Sequence, residues 1–116
     1  MNKNNQINYI EFLLWDKLKT KTFYQNCFGW QFEDWGPSYI SFTGAGIDGG
    51  FNGESDRPLT QPGMLVVLYS DDLSAIYSKV KEEGGIIKQE PYEFPGGRRF
   101  HFEDPNGNEL AIWSEA

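Results

Sequence analysis

The segment GGRRFHFEDPNGNELAIW, residues 96–113, gathers many of the side chains in this chain that could do chemistry. It holds the only histidine, His101, with Arg98, Arg99 and the acids Glu103, Asp104 and Glu109. An imidazole among carboxylates has three uses. It can ligate a metal, carry a proton near neutral pH, or hydrogen-bond within a pocket wall. Arg99 and Glu109 also have a plainer reading as a cross-strand ion pair. Glu11 is the second notable acid, because it interrupts INYIEFLLW, an otherwise apolar run in which a carboxylate needs a partner. Two other features carry less. Cys27 shares a helical stripe with Phe23, Tyr24 and Phe28, which fits a buried, inert thiol better than a nucleophile. The stretch GAGIDGG opens onto a strand instead of a helix N-terminus, so it lacks the context of a phosphate loop.

The elements that must position these residues follow from periodicity. Residues 7–15 read as a strand, Asp16 as a helix cap, 17–28 as a helix and Gly29 as its stop. Residues 30–35 and 38–43 read as short strands broken by Gly36-Pro37, and a weak fourth strand follows near Phe51. Residues 53–63 are polar and rich in Gly and Pro, as in an exposed linker. The series then restarts with a strand over 64–69. Asp71-Asp72 precedes a helix over 73–83, which carries Leu73, Ile76, Tyr77 and Val80 on one face and ends at Gly84-Gly85. Strands over 86–90, 98–103 and 108–113 close the chain, the last two joined by a turn at Asp104-Pro105-Asn106-Gly107.

The two series match in spacing. Tyr9 to Asp16 and Leu65 to Asp72 each span seven residues, and Asp16 to Gly29 and Asp72 to Gly85 each span thirteen. Phe42 to Phe51 and Phe102 to Ala111 each span nine. This is a duplicated βαβββ unit. The expected organisation is a single domain over 1–116, with module one at about 7–53, a linker at about 54–63 and module two at about 64–113.

Composition narrows the class. A chain of 116 residues with 39% hydrophobic and 16% aromatic residues can bury a real core without disulfide or metal. A net charge of −7 without a basic cluster disfavours nucleic acid and anionic membrane surfaces as partners. One cysteine allows no internal disulfide, and no apolar run is long enough to span a bilayer, so a cytoplasmic location is expected.

The motifs FYQNCFGW, DDLSAIYSKVKEEGG and DPNGNELAIW, at their places in the repeat, resemble the vicinal oxygen chelate superfamily. That group includes glyoxalases, bleomycin-resistance proteins and extradiol dioxygenases. The resemblance runs from about Ile7 to Trp113 and implies an α+β fold. In it, two βαβββ modules form a curved mixed β-sheet cup with helices packed behind, commonly in a homodimer. It also implies metal-ligand positions, which fall here on Tyr9, Phe51, Leu65 and Ala111. Three of these have no donor atom and a neutral phenol is a poor ligand, so no metal and no other cofactor is expected.

Strand alternation carried from those positions turns one set of side chains toward the cup. Tyr9, Phe51, Leu65, Tyr69, Arg99 and Trp113 are the expected ligand-binding residues, and His101, Glu11 and Glu109 the expected polar or catalytic groups. The leading functional reading is a metal-free protein that holds a small, partly aromatic molecule in the cup. A second is an enzyme of the lyase, isomerase or dioxygenase type, working either without metal through His101 as acid or base or with a displaced metal site. A third is a dimeric interaction module whose cup is filled by its own rings.

Overall fold

A computed structural model describes residues 4–5, 7–54 and 64–115. The expected linker at 54–63 thus lies, apart from Glu54, outside the described residues. The elements run β1 (Tyr9–Leu13), α1 (Lys17–Phe28), β2 (Gln31–Asp34), β3 (Tyr39–Thr43) and β4 (Asp48–Asn52). They continue with β5 (Val66–Tyr69), α2 (Leu73–Glu82), β6 (Ile86–Phe94), β7 (Gly97–Glu103) and β8 (Glu109–Ser114). The fold is α+β and the duplication is real: each half is βαβββ. The sheet orders β1-β4-β3-β2 and β5-β8-β7-β6 are the same permutation. In each half the first strand lies parallel to the last, and the remaining pairings are antiparallel. The chain divides into two compact units at about residue 60.

Local chemistry sets the helix ends. The Asp16 side chain accepts from the Lys19 amide at 3.0 Å, and Asp72 accepts from the Ala75 amide at 3.1 Å. Each caps an amide that has no intrahelical partner. Helix α1 ends where Gly29 adopts a left-handed conformation, φ 75°, which a side chain would make costly.

In the first unit α1 buries Thr20, Phe23 and Tyr24, one helical turn's spacing, against the sheet. Tyr24, fully buried, stacks on Trp30 at 4.6 Å between centroids and packs against Phe51 at 5.1 Å. Trp30 stacks on Phe42 at 4.6 Å, and Phe12 stacks on Phe51 at 5.1 Å. In the second unit α2 buries Leu73 and Val80, while Tyr77 meets Phe100 edge-on at 5.2 Å. Phe100, Phe102, Leu110 and Ile112 fill the helix-facing side of β7 and β8. The β7–β8 turn is built around Asp104, which accepts from the Asn106 and Asn108 amides, both at 2.8 Å.

Phe51 does not take its expected place. Its ring lies in the core, because β4 pairs with β1 in the register Phe12↔Phe51 and Glu11↔Gly50. The cause is a turn of different length. Phe42 pairs with Gly49, seven residues on, whereas its duplicate Phe102 pairs with Leu110, eight residues on. The true counterpart of Ala111 is therefore Gly50, and a one-residue slip moves a side chain to the opposite face of a sheet.

Candidate functional site

On the side of the first sheet away from its ring core, Tyr9, Glu11, Trp35, Tyr39, Ser41 and Glu54 line an open hollow of about 480 Å³. Alternation along β1 and β3 brings Glu11 and Ser41 to one face, and register sets Gly50 between them. Gly50 leaves room there for two phenol ends. A methyl group on it would collide with the Tyr39 hydroxyl and lie 2.6 Å from that of Tyr9.

The space over Gly50 is filled by a hydrogen-bonded series. Tyr39 donates to Glu11 Oε2 at 2.8 Å, so the 2.6 Å contact between the two tyrosine hydroxyls has Tyr9 as donor. Asn52 Nδ2 donates to Glu11 Oε1 at 3.2 Å, and Trp35 Nε1 donates to Ser41 Oγ at 2.8 Å. Burial, then the Tyr9 and Glu11 hydrogen bonds, holds the Tyr39 hydroxyl far above the ordinary tyrosine range, so it stays a donor to the carboxylate. The protons of Tyr9, Tyr39 and the Trp35 indole are thus all directed within the wall. What remains toward the hollow is mainly acceptor: the Tyr9 oxygen and the Glu11 carboxylate. Rings stand around them, with Tyr9 44% and Trp35 61% exposed.

The second sheet has its own open face. Register places Tyr69, Trp113 and Arg99 in one row across β5, β8 and β7, and Val67, Ala111 and His101 in the next. Leu65 precedes β5 and is half-buried. Tyr69 and Trp113 meet edge-on at 5.0 Å, and Phe94 adds a ring 6.1 Å from Trp113. His101 Nδ1 lies 2.9 Å from Glu109 Oε2, and its Nε2 lies 3.0 Å from the Tyr92 hydroxyl. Arg99 Nε donates to the same hydroxyl. The plain Arg99–Glu109 pair suggested by the sequence is not formed; Glu109 pairs with His101 instead.

Sequence reasoning passed over Tyr39, Trp35, Asn52 and Gly50 in the first unit and Tyr92 in the second. Tyr92 was hidden because Pro91 reads as the end of a strand, yet β6 continues through it to Phe94. Between Gln89↔His101 and Tyr92↔Arg99 the strand carries one extra residue, a bulge that turns Tyr92 onto the face of His101. Tyr39 and Trp35 had a legible signal, since both flank the Gly36-Pro37 break, but only the register shows what they meet.

The expected metal positions fit no metal. In the first sheet they hold Tyr9, whose hydroxyl is engaged by Tyr39, and, with the register corrected, Gly50. In the second they hold Leu65 and Ala111, which have no donor atoms. Among the described residues no group of three or more His, Cys, Asp or Glu is placed so that it could hold a metal ion. Nor is any helix among them long and apolar enough to cross a membrane.

The family model of the Glyoxalase/Bleomycin resistance protein/Dioxygenase superfamily matches residues 6–112. No curated protein matches the chain. Among solved structures, TnmS3, an antibiotic binding protein from Streptomyces sp. CB03234, has a TM-score of 0.72 at 23% identity over 100% of both chains. A glyoxalase-related enzyme from Fulvimarina pelagi has a TM-score of 0.80 at 20% identity, over 96% of this chain and 88% of that one. A glyoxalase/bleomycin resistance protein/dioxygenase family enzyme from Burkholderia phytofirmans PsJN has a TM-score of 0.79 at 18% identity, over 94% of this chain and 98% of that one. At these identities the likeness is one of fold.

Proposed function

The chain belongs to the glyoxalase/bleomycin resistance protein/dioxygenase superfamily, and from that premise we propose that it binds a small, partly aromatic molecule without a metal, in the hollow of its first unit. The observation that carries this reading is the Glu11 carboxylate set among exposed rings. Tyr39 and Asn52 hold it in place, and among the described residues no lysine or arginine lines the hollow. A carboxylate beside ring faces attracts a cation that also donates hydrogen bonds, so the ligand class is an aryl ammonium or amidinium. The volume of about 480 Å³ suits a ligand of drug size or smaller. The antibiotic-binding relative lends the fold-level analogy. The homodimer and cytoplasmic location expected from the sequence belong to the same proposal; sedimentation of the purified chain tests the first.

The test is calorimetric titration in the presence of a chelator, with naphthylmethylamine and the matched alcohol as probes. The amine binds, and Glu11→Gln weakens it by about tenfold, or ~1.4 kcal/mol. Binding of neither probe, or binding only after a divalent metal is restored, overturns the reading.

A further inference from the structure

The open face of the second unit joins four side chains in series: Arg99, Tyr92, His101 and Glu109. The direction of each hydrogen bond follows from chemistry. A guanidinium only donates, so Arg99 Nε–H points to the Tyr92 oxygen. A carboxylate only accepts, so the proton of neutral His101 sits on Nδ1, facing Glu109 at 2.9 Å. That leaves Nε2 as an acceptor, and the Tyr92 hydroxyl donates to it across 3.0 Å. This is the connectivity of a carboxylate–imidazole–hydroxyl triad, with a cation added at the hydroxyl oxygen.

We propose that Tyr92 is the proton-exchanging group of a metal-free acid–base site, served by His101, Glu109 and Arg99, and that its substrate is an aryl α-keto acid. Passing the Tyr92 proton to His101 Nε2 creates a row of alternating charge: guanidinium, phenolate, imidazolium, carboxylate. Each new charge then lies beside one of opposite sign, which lowers the cost of the transfer. His101 itself is unsuited to touch substrate, because both ring nitrogens are engaged. The Tyr92 oxygen keeps a lone pair, and a phenolate is a stronger base than an imidazole, as a weak carbon acid requires.

The surroundings select the substrate. Arg99 uses Nε on Tyr92, and among the described residues no carboxylate pairs with it, so its outer nitrogens suit a carboxylate or enolate oxygen. Its guanidinium carbon lies 5.6 Å from the centre of the Phe94 ring, and Phe94 adjoins Trp113, giving an aryl group ring faces to meet.

The step balances without a co-reactant. The substrate C–H bond beside the carbonyl breaks and its proton goes to the Tyr92 phenolate. The electron pair forms C=C, and the carbonyl π pair moves to oxygen. Tyr92 then gives its proton to that oxygen and takes its own back from His101, leaving the enol and the resting relay. The series uses side chains of the second unit alone and the ammonium hollow those of the first, and either reading stands or falls without the other.

The probe is phenylpyruvate, with keto–enol conversion followed by absorbance and benzylic exchange followed by NMR in deuterium oxide. The wild-type protein accelerates both over free imidazole at equal concentration. Tyr92→Phe, checked for folding by near-ultraviolet circular dichroism, lowers the rate by about 100-fold. Glu109→Gln lowers it too, and shifts the His101 ring nitrogens away from the Nδ1-protonated form in nitrogen-15 spectra, as a positioning role requires. A wild-type rate no higher than that of imidazole, a folded Tyr92→Phe with undiminished rate, or an Nε2-protonated His101 in the wild type overturns the proposal.

Discussion

Tyr39 donates a hydrogen bond of 2.8 Å to Glu11, from a strand 28 residues further along the chain. The phenol thereby becomes the hinge of the first unit's polar wall, with Tyr9 as its other partner.

The alkaline titration of Tyr39 follows from this contact. Burial first, then the hydrogen bonds to Tyr9 and Glu11, raises its folded-state pKa well above the tyrosine norm of about 10. Over that interval the folded chain keeps a proton that the unfolded chain has lost, so stability falls as pH rises past about 10. Below that pH the contribution is fully present. Absorbance titration should show Tyr39 among the last tyrosines to ionise, and Tyr39→Phe should flatten the loss of stability at high pH. An unchanged profile in that variant would contradict the assignment.

Gly50→Ala tests the floor of the hollow. The added methyl group would meet both tyrosine hydroxyls, so the pair must move from Glu11 or the strand must shift. The two phenol ends border an open hollow and can swing aside, so the cost stays below the ~1–3 kcal/mol of overpacking a closed core. Chemical denaturation should register that loss, and aryl ammonium binding should weaken with it. Unchanged affinity for the aryl ammonium would mean that the hydroxyls lie elsewhere.

Phe51→Ala distinguishes a core ring from a ligand-contacting one. Phe51 is fully buried against Phe12 and Tyr24, so truncation should cost about 3–5 kcal/mol. A ring on the open face would cost far less and would affect ligand affinity first. Thermal unfolding beside calorimetric titration separates the two.

Asp16→Ala and Asp72→Ala form a matched pair across the duplication. Each removes a side chain that caps a helix amide, at 3.0 and 3.1 Å. Each should cost about 1 kcal/mol, and Asn at either position should restore most of it. Equal stability of the Ala and Asn variants would show that the caps contribute nothing.

The sequence by itself determined the α+β class, the duplicated βαβββ order, the helix caps Asp16 and Asp72 and the left-handed stop at Gly29. These are local properties: a capping carboxylate, a residue without Cβ, or an apolar period acts within a few positions of itself. The facing of Arg99, His101, Glu109, Tyr69 and Trp113 was legible for the same reason, since alternation within one strand needs no partner. Only the tertiary structure decided the rest. Phe51 went to the core because the β3–β4 connection is one residue shorter than its duplicate. Tyr92 reached His101 because a bulge beside Pro91 reversed its face. Both outcomes depend on register between strands, which the hydrogen-bond ladder and core packing fix together and no single strand encodes.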